Sequence, residues 1–153
     1  MYSKKDNLLF IHIPKTGGQT ILLHFLEKYN IKWEDRNKVF ADKMQIHGKK
    51  IITEHLSYQE YIEYNIIKKN EIDKLDKISI VRNPYDRFLS AFYYLKKGGN
   101  NYRDALFNKT KLYDVNDVSG FLKKFNSDPE IKNWIHFQPQ SEFVFNSNDQ
   151  LMV

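Results

Sequence analysis

The 153-residue sequence contains no cysteine, which excludes disulfides, thiolate nucleophiles and cysteine-based zinc sites. It also lacks any apolar run long enough to span a bilayer. The polar residues 1–7 do not resemble the start of a signal peptide. We therefore expect a cytoplasmic protein with no membrane segment.

No run of like-charged residues reaches the five or six charges that are typical of a nucleic-acid-binding tail. The formal net charge of +5 favours an anionic ligand, but it does not choose among nucleotide, polysaccharide and nucleic acid. We expect no nucleic-acid partner, and a gel shift with DNA or RNA at physiological salt would be needed to revive that alternative.

The feature around which the sequence is organised is a strand, a glycine turn and a helix over residues 8–20. Residues 8–13 are apolar and predict a buried strand, and Pro14 with the pair Gly17-Gly18 predicts a sharp break. Such a turn is typical of phosphate binding, because glycines let backbone N–H groups approach an anion. The alternative is an ordinary strand-to-helix turn.

Side chains of this turn suit the same purpose. Lys15 would add positive charge, and Thr16 and Thr20 would add hydroxyl donors. The lysine precedes the glycines, so the turn is not a Walker A loop, which argues against a P-loop nucleotide kinase.

Two further strand-to-helix transitions follow along the chain. Residues 51–53 predict a strand that ends at Glu54-His55, and Ser57 with Glu60 predicts the capping box of a helix over residues 58–69. Residues 78–81 predict a buried strand that ends at Arg82-Asn83. A helix that Asn83 can cap follows from Pro84.

Three strands that are each followed by a helix predict an α/β fold with a mainly parallel sheet, flanked by helices. Ligands in such sheets bind beyond the carboxyl ends of the strands. Three polar clusters fall at these ends, namely residues 14–20, Glu54-His55 and Arg82-Asn83. The rest of the chain predicts helices over 115–125 and 131–137, and a strand beginning at 150–153. We expect one domain over residues 1–153.

Two of these segments resemble motifs of the sulfotransferases that use 3'-phosphoadenosine 5'-phosphosulfate (PAPS). Residues 12–18, His-Ile-Pro-Lys-Thr-Gly-Gly, resemble their 5'-phosphosulfate loop, and residues 80–92 resemble their 3'-phosphate motif. The sequence is most similar to the carbohydrate type, like heparan sulfate 2-O-sulfotransferase and its bacterial relatives. Residues 53–56 are similar to the segment that carries the catalytic histidine in that type, and residues 134–143 resemble a later segment.

The resemblance implies a three-layer domain like that of P-loop NTPases, with PAPS as donor, adenosine 3',5'-bisphosphate (PAP) as product and a carbohydrate hydroxyl as acceptor. Its implied roles are His55 as base, with Glu54 as the alternative base, and Lys15 beside the bridging oxygen. The implied donor-binding residues are Lys15, Thr16, Gly17, Gly18, Gln19, Thr20, Arg82 and Ser90.

No metal is expected, because no set of His, Asp and Glu has the sequence spacing of metal ligands and sulfuryl transfer needs none. Two departures from the family pattern stand out. Gln19 occupies a position where a hydroxyl residue is usual, and the relatives continue past the position of Val153. We therefore expect either a truncated domain or a minimal variant of one. The alternative function is that of a non-catalytic module that binds adenosine phosphates.

Overall fold

The computed structural model of the chain describes residues 1–39, 45–46, 49–50 and 53–153. The predicted strand over 51–53 lies mostly outside these residues. So do Phe40, the last residue of a short strand that the sequence predicts near 38–40, and His47, for which no role is predicted. The chain divides into a first unit, Met1–Val81 with Pro139–Val153, and a second unit, Arg82–Gln138. That all 153 residues form one domain stays a prediction.

Within the described residues the structure contains five short strands and eight α-helices. The strands are β1 Tyr2–Ser3, β2 Leu8–Ile11, β3 Gln45–Ile46, β4 Lys49–Lys50 and β5 Asp76–Ser79. The helices are α1 Gly18–Lys28, α2 Tyr58–Glu63, α3 Lys69–Ile72, α4 Pro84–Lys96, α5 Tyr102–Phe107, α6 Val118–Ser127, α7 Pro129–Lys132 and α8 Ser141–Val144. Residues Trp33–Val39 and Thr53–His55 form 3-10 turns, and Asn108–Leu112 form a π-helical segment. None of the helices in these ranges is both long and apolar enough to cross a membrane.

The sheet of the first unit has the strand order β1-β2-β5. β2 and β5 run parallel with Ile11 opposite Ser79, so these two strands end at the same edge, as the sequence predicts. β1 pairs antiparallel with β2. In a second, two-stranded sheet β3 pairs antiparallel with β4. Only one of the three strand pairs within the described residues is therefore parallel, and the expectation of a mainly parallel sheet is met in part, because two-residue strands give no periodic signal in the sequence.

The strand β5 differs from its prediction in position and burial. It begins two residues earlier than expected, and Ile78 is 46% exposed rather than buried. Side chains alternate between the faces of a strand, and this register turns Lys77 and Ser79 to the more buried face. There Lys77 Nζ donates to the carbonyl of Leu75 at 2.8 Å and Ser79 Oγ donates to that of Ile11 at 2.8 Å.

The helices of the first unit follow from their local signals. α1 buries Leu22, Phe25 and Leu26 in a cluster with Phe10 of β2, which is the stripe that its periodicity predicts. The capping box of Ser57 and Glu60 starts α2 as predicted. The single helix expected over 58–69 is wrong, because α2 ends at Glu63 and the left-handed Asn65 separates it from α3.

The second unit is helical and packs around aromatic rings. Phe92 stacks on Phe121 with ring centroids 4.8 Å apart, and Phe88 and Phe137 contact Phe121 at 5.3 and 5.2 Å. Asn83 caps α4 by accepting a hydrogen bond from the Tyr85 amide at 3.0 Å, as predicted. The helix expected at 115–125 is observed as α6, three residues later than predicted. The helix expected at 131–137 is wrong, because α7 begins at the cap of Asp128 and ends at Lys132, and α5 is not predicted.

A buried carboxylate ties the helices of this unit together. Asp104 is 2% exposed and accepts hydrogen bonds from Tyr94 Oη at 2.8 Å, Asn101 Nδ2 at 2.7 Å and Trp134 Nε1 at 3.3 Å. His136 Nε2 lies 3.2 Å from its Oδ1. We call these five residues the Asp104 cluster. Burial disfavours the charged form of Asp104, but the bonds from His136, Tyr94 and Asn101 outweigh it and hold its pKa below the usual value.

At the end of the chain, the strand expected at 150–153 is reduced to an isolated bridge between Phe145 and Leu151. Residues 134–143 belong partly to each unit, with Pro139 onward in the first.

Candidate functional site

The loop between β2 and α1, Pro14–Thr20, has the backbone of an anion-binding turn. Gly17 adopts φ +97°, a left-handed conformation that favours glycine, and it precedes the first residue of α1. The amides of the first helical turn therefore begin with that of Gly18, directly after Gly17. Amides in this position are the groups that hold phosphate in many nucleotide-binding proteins.

Two side chains of the loop behave differently from each other. Thr16 is buried, and its hydroxyl donates to the Ile13 carbonyl at 2.9 Å. The sequence suggests that the Thr16 hydroxyl donates to a phosphate. In the structure it donates to the Ile13 carbonyl instead and stabilises the conformation of the loop. Lys15 is half-buried and has φ +68°, which is a left-handed conformation that is strained for lysine.

Gly18 is required for a different reason, which is close approach. A Cβ added at Gly18 would lie 1.8 Å from Nε2 of His12. The buried His12 imidazole therefore lies directly against the first residue of α1. Glycine at position 18 provides the space that this ring occupies.

His55 reaches the same place from the 3-10 turn Thr53–His55. Its ring lies 4.4 Å from that of His12, measured between centroids, and its Nδ1 is 3.0 Å from the His12 carbonyl oxygen. A carbonyl can only accept, so Nδ1 carries the proton and Nε2 carries the lone pair of the neutral ring. His55 is half-buried, which confirms the partial exposure expected of it.

Glu54 joins this pair to the loop. Its Oε1 lies 3.8 Å from Nδ1 of His12 and accepts a hydrogen bond of 3.3 Å from Nε2 of Gln19. The Glu54 side chain is 31% exposed, while that of His12 is 5% exposed. Gln19 therefore contacts the proposed base segment through the amide that replaces the hydroxyl usual at that position.

The three residues His12, Glu54 and His55 form one cluster, since each offers a ligand-type atom and these atoms lie within 4.8 Å of one another. Sequence spacing does not reveal such a set, because residue 12 is far from residues 54 and 55 along the chain. In the sequence, His12 is only one residue of a predicted buried strand and has no predicted chemical role. The signal that could have found it is the glycine pair, which leaves room for a ring.

The other predicted donor-binding residues belong to the second unit. Arg82 is exposed just before the cap of α4, and Ser90 is half-buried in the second turn of that helix. Arg87 of α4 is buried and donates from a guanidinium nitrogen to the Gln138 carbonyl at 2.8 Å, and burial lowers its pKa. This backbone contact gives Arg87 a structural role.

Comparison with known proteins supplies a family for this geometry. A family model described as "Sulfotransferase family" matches residues 1–152. A protein-tyrosine sulfotransferase of Arabidopsis thaliana is 30% identical to the chain over 92 residues, which is 60% of the chain and 18% of that protein. The chain thus spans under a fifth of the length of this relative. No solved structure matches the chain significantly.

Proposed function

The chain belongs to the sulfotransferase family, and from that premise we propose that it transfers a sulfuryl group from PAPS to a hydroxyl acceptor, within a three-layer fold like that of P-loop NTPases. The observation that carries the proposal is the half-buried His55, which lies beside the anion-binding loop in the tautomer of a base.

In this reaction the bond between sulfur and the bridging phosphate oxygen breaks, and a bond forms between sulfur and the acceptor oxygen. His55 Nε2 takes the proton of the acceptor hydroxyl, and the leaving oxygen departs as an anion on PAP. The His12 carbonyl orients the ring by holding Nδ1–H. A base already in the correct tautomer needs no rearrangement before proton transfer.

The loop holds the donor. Amides from Thr16 to Thr20 bind the phosphosulfate, with Gly17 and Gly18 allowing close approach and Gln19 steadying Glu54. Lys15 stabilises negative charge on the bridging oxygen as it develops, so its contribution is greatest in the transition state. Glu54 is the alternative base.

Arg82 and Ser90 bind the 3'-phosphate of the donor. Arginine suits this role because its planar fork makes paired hydrogen bonds to phosphate oxygens. The exposure of Arg82 and the position of Ser90 on α4 support this assignment.

We propose a carbohydrate hydroxyl as the acceptor, on the resemblance of residues 12–18, 53–56 and 80–92 to the carbohydrate type. A second candidate is the phenolic hydroxyl of a protein tyrosine, which the name of the similar Arabidopsis thaliana protein favours. The two acceptors differ in chemistry, because a phenol with a pKa of about 10 is far more acidic than a sugar alcohol. Tyrosine therefore depends less on the base than a sugar does.

Calorimetry of the chain with PAP, AMP and ATP tests donor binding. We expect PAP to bind more tightly than AMP by about 1.5–3 kcal/mol, which is typical of a hydrogen-bonded charged contact. The Arg82→Ala variant should lose most of this difference. Equal affinities for PAP and AMP contradict the assignment of Arg82, and Mg²⁺-dependent ATP binding would favour a kinase instead.

Transfer of labelled sulfate from PAPS identifies the acceptor class. One reaction contains a mixture of unsulfated oligosaccharides, and a matched reaction contains a tyrosine peptide with a phenylalanine peptide as control. Labelling of saccharides supports the carbohydrate acceptor, and labelling of the tyrosine peptide alone replaces it. PAP binding with no transfer to either class favours a non-catalytic module.

A further inference from the structure

We propose that His12, Glu54 and His55 form a binding site for a borderline divalent transition-metal ion, with Zn²⁺ as the best fit. Two imidazoles and one carboxylate make the donor set that protein sites for zinc commonly use. Their ligand-type atoms lie within 4.8 Å of one another in the first unit. This inference does not depend on the proposed function, since it concerns only these side chains.

The orientation of His55 is the second observation that points to a metal. Its Nδ1 lies 3.0 Å from the His12 carbonyl oxygen, so in the neutral ring Nδ1–H donates to that oxygen. Histidines that bind metals commonly donate their other ring nitrogen to a carbonyl or carboxylate in this way. The tautomer is therefore fixed before any ion arrives.

The carboxylate is oriented as well. Gln19 Nε2 donates to Oε1 of Glu54 at 3.3 Å, and Oε1 lies 3.8 Å from Nδ1 of His12. A hydrogen bond of this kind to a ligating carboxylate is also typical of metal sites. The His12 ring itself is held against Gly18, so one ligand is rigid while the two half-exposed ones can adjust.

The size of the adjustment is modest. Zinc binds nitrogen and oxygen at about 2.0–2.2 Å, so the ligand atoms need to approach one another to about 3.5 Å. The half-exposed Glu54 and His55 side chains supply this movement, because the buried His12 ring is held against Gly18. Because an ion and a proton occupy the same lone pair of His55, zinc binding and base function are mutually exclusive.

Titration of the whole chain with Zn²⁺ against a chromophoric chelator at neutral pH tests the site. We expect one strongly bound ion per chain, and Mg²⁺ in excess should not displace it, because Mg²⁺ prefers oxygen ligands. Glu54→Gln and His55→Gln should each weaken binding by about tenfold or more. The matched control is His24→Gln, which removes an exposed histidine of α1 and should bind zinc as the unmodified chain does.

Cobalt substitution gives a second readout that needs no variant. Co²⁺ bound by His12, Glu54 and His55 in a tetrahedral site should give strong visible absorption, which zinc abolishes. Unchanged zinc affinity in both Glu54→Gln and His55→Gln, or loss of affinity in His24→Gln, overturns the site. Zinc binding by a chain that binds no PAP would leave this inference intact while removing the proposed function, and PAP binding without zinc would do the reverse.

Discussion

Each unit of the molecule contains a histidine paired with a carboxylate, and the two pairs are built in opposite ways. In the second unit, Asp104 is 2% exposed and lies 3.2 Å from His136. In the first unit, the Glu54 side chain is 31% exposed and lies 3.8 Å from His12. The same chemical groups thus form a closed network in one place and an open cluster in the other.

The difference lies in how the carboxylates are satisfied. Asp104 accepts hydrogen bonds from Tyr94, Asn101 and Trp134 in addition to its histidine. Hydrogen bonds from this many donors stabilise the charged form of the buried Asp104 carboxylate and leave no room for a ligand. Glu54 reaches only part way into the protein, beside a loop suited to anions. Burial, rather than residue type, separates a structural pair from a candidate site.

The largest expected effect is on catalysis. His55→Ala should reduce sulfuryl transfer by about 10²–10⁴-fold, because a positioned base typically contributes that much, while PAP affinity stays nearly unchanged. Single-turnover transfer and calorimetry with PAP measure the two quantities.

The matched change in the closed network is His136→Ala, which should lower the melting temperature while transfer per folded molecule is retained. If His55→Ala and His136→Ala lost transfer equally under conditions in which both variants are fully folded, the distinction between the two clusters would be wrong.

Removal of the two carboxylates should separate the clusters by stability. Asp104→Ala should lower the free energy of unfolding by about 3 kcal/mol, because it leaves several buried donors without an acceptor. Glu54→Ala should cost less than about 1 kcal/mol, since the Glu54 side chain is 31% exposed and lies 3.8 Å from His12, so water can replace this contact. Urea denaturation checks both values, and similar losses would mean that Glu54 is as structural as Asp104.

Glycine substitutions test how each cluster is accommodated. A Cβ at Gly99 would lie 2.3 Å from Cβ of Asp104, and Gly99 also has φ +63°. We expect Gly99→Ala to cost about 3 kcal/mol and Gly18→Ala about 2 kcal/mol, because only the first adds backbone strain to a clash.

Gly17→Ala is the control for strain without a clash, since nothing lies within 4 Å of the added atom at φ +97°. It should cost about 1 kcal/mol. Thermal unfolding gives this ranking, and a neutral Gly18→Ala would contradict the close approach of the His12 ring.

The smallest expected effect is a pH dependence that belongs to the Asp104 cluster. The pKa of Asp104 is lower in the folded chain than in the unfolded chain, although burial alone would raise it. The unfolded state therefore binds the proton more readily, so the stabilisation is full above the usual Asp pKa of about 3.9 and is lost as the pH falls through the lower folded value. Urea midpoints between pH 6 and pH 3 should decline less steeply in Asp104→Asn than in the unmodified chain.

The parts of the fold that were predictable from sequence are those with local physical causes. The cap by Asn83, the capping box of Ser57 with Glu60, and the strand-turn-helix from β2 to α1 all depend on nearby residues, and the structure confirms them. The register of β5 was not predictable, because it depends on which carbonyls Lys77 and Ser79 reach in three dimensions.

The candidate site shows the same limit. The strand over 51–53 that the sequence predicts before His55 lies mostly outside the described residues, and the position of His12 depends on its contact with His55, 43 residues away in the sequence. Long-range contacts of buried side chains leave no periodic signal in a sequence. The roles of Lys15, Arg82 and Ser90 in binding the donor stay predictions.

The left-handed backbone of Lys15 has a consequence for protein engineering. A non-glycine residue in that conformation costs about 1 kcal/mol or more, so Lys15→Gly should make the folded chain more stable. The same change removes the single cationic side chain of residues 14–20. Selection of variants for thermal stability alone would therefore enrich Lys15→Gly. The selected protein would be more stable, but its loop would have lost the positive charge that it presents to an anion.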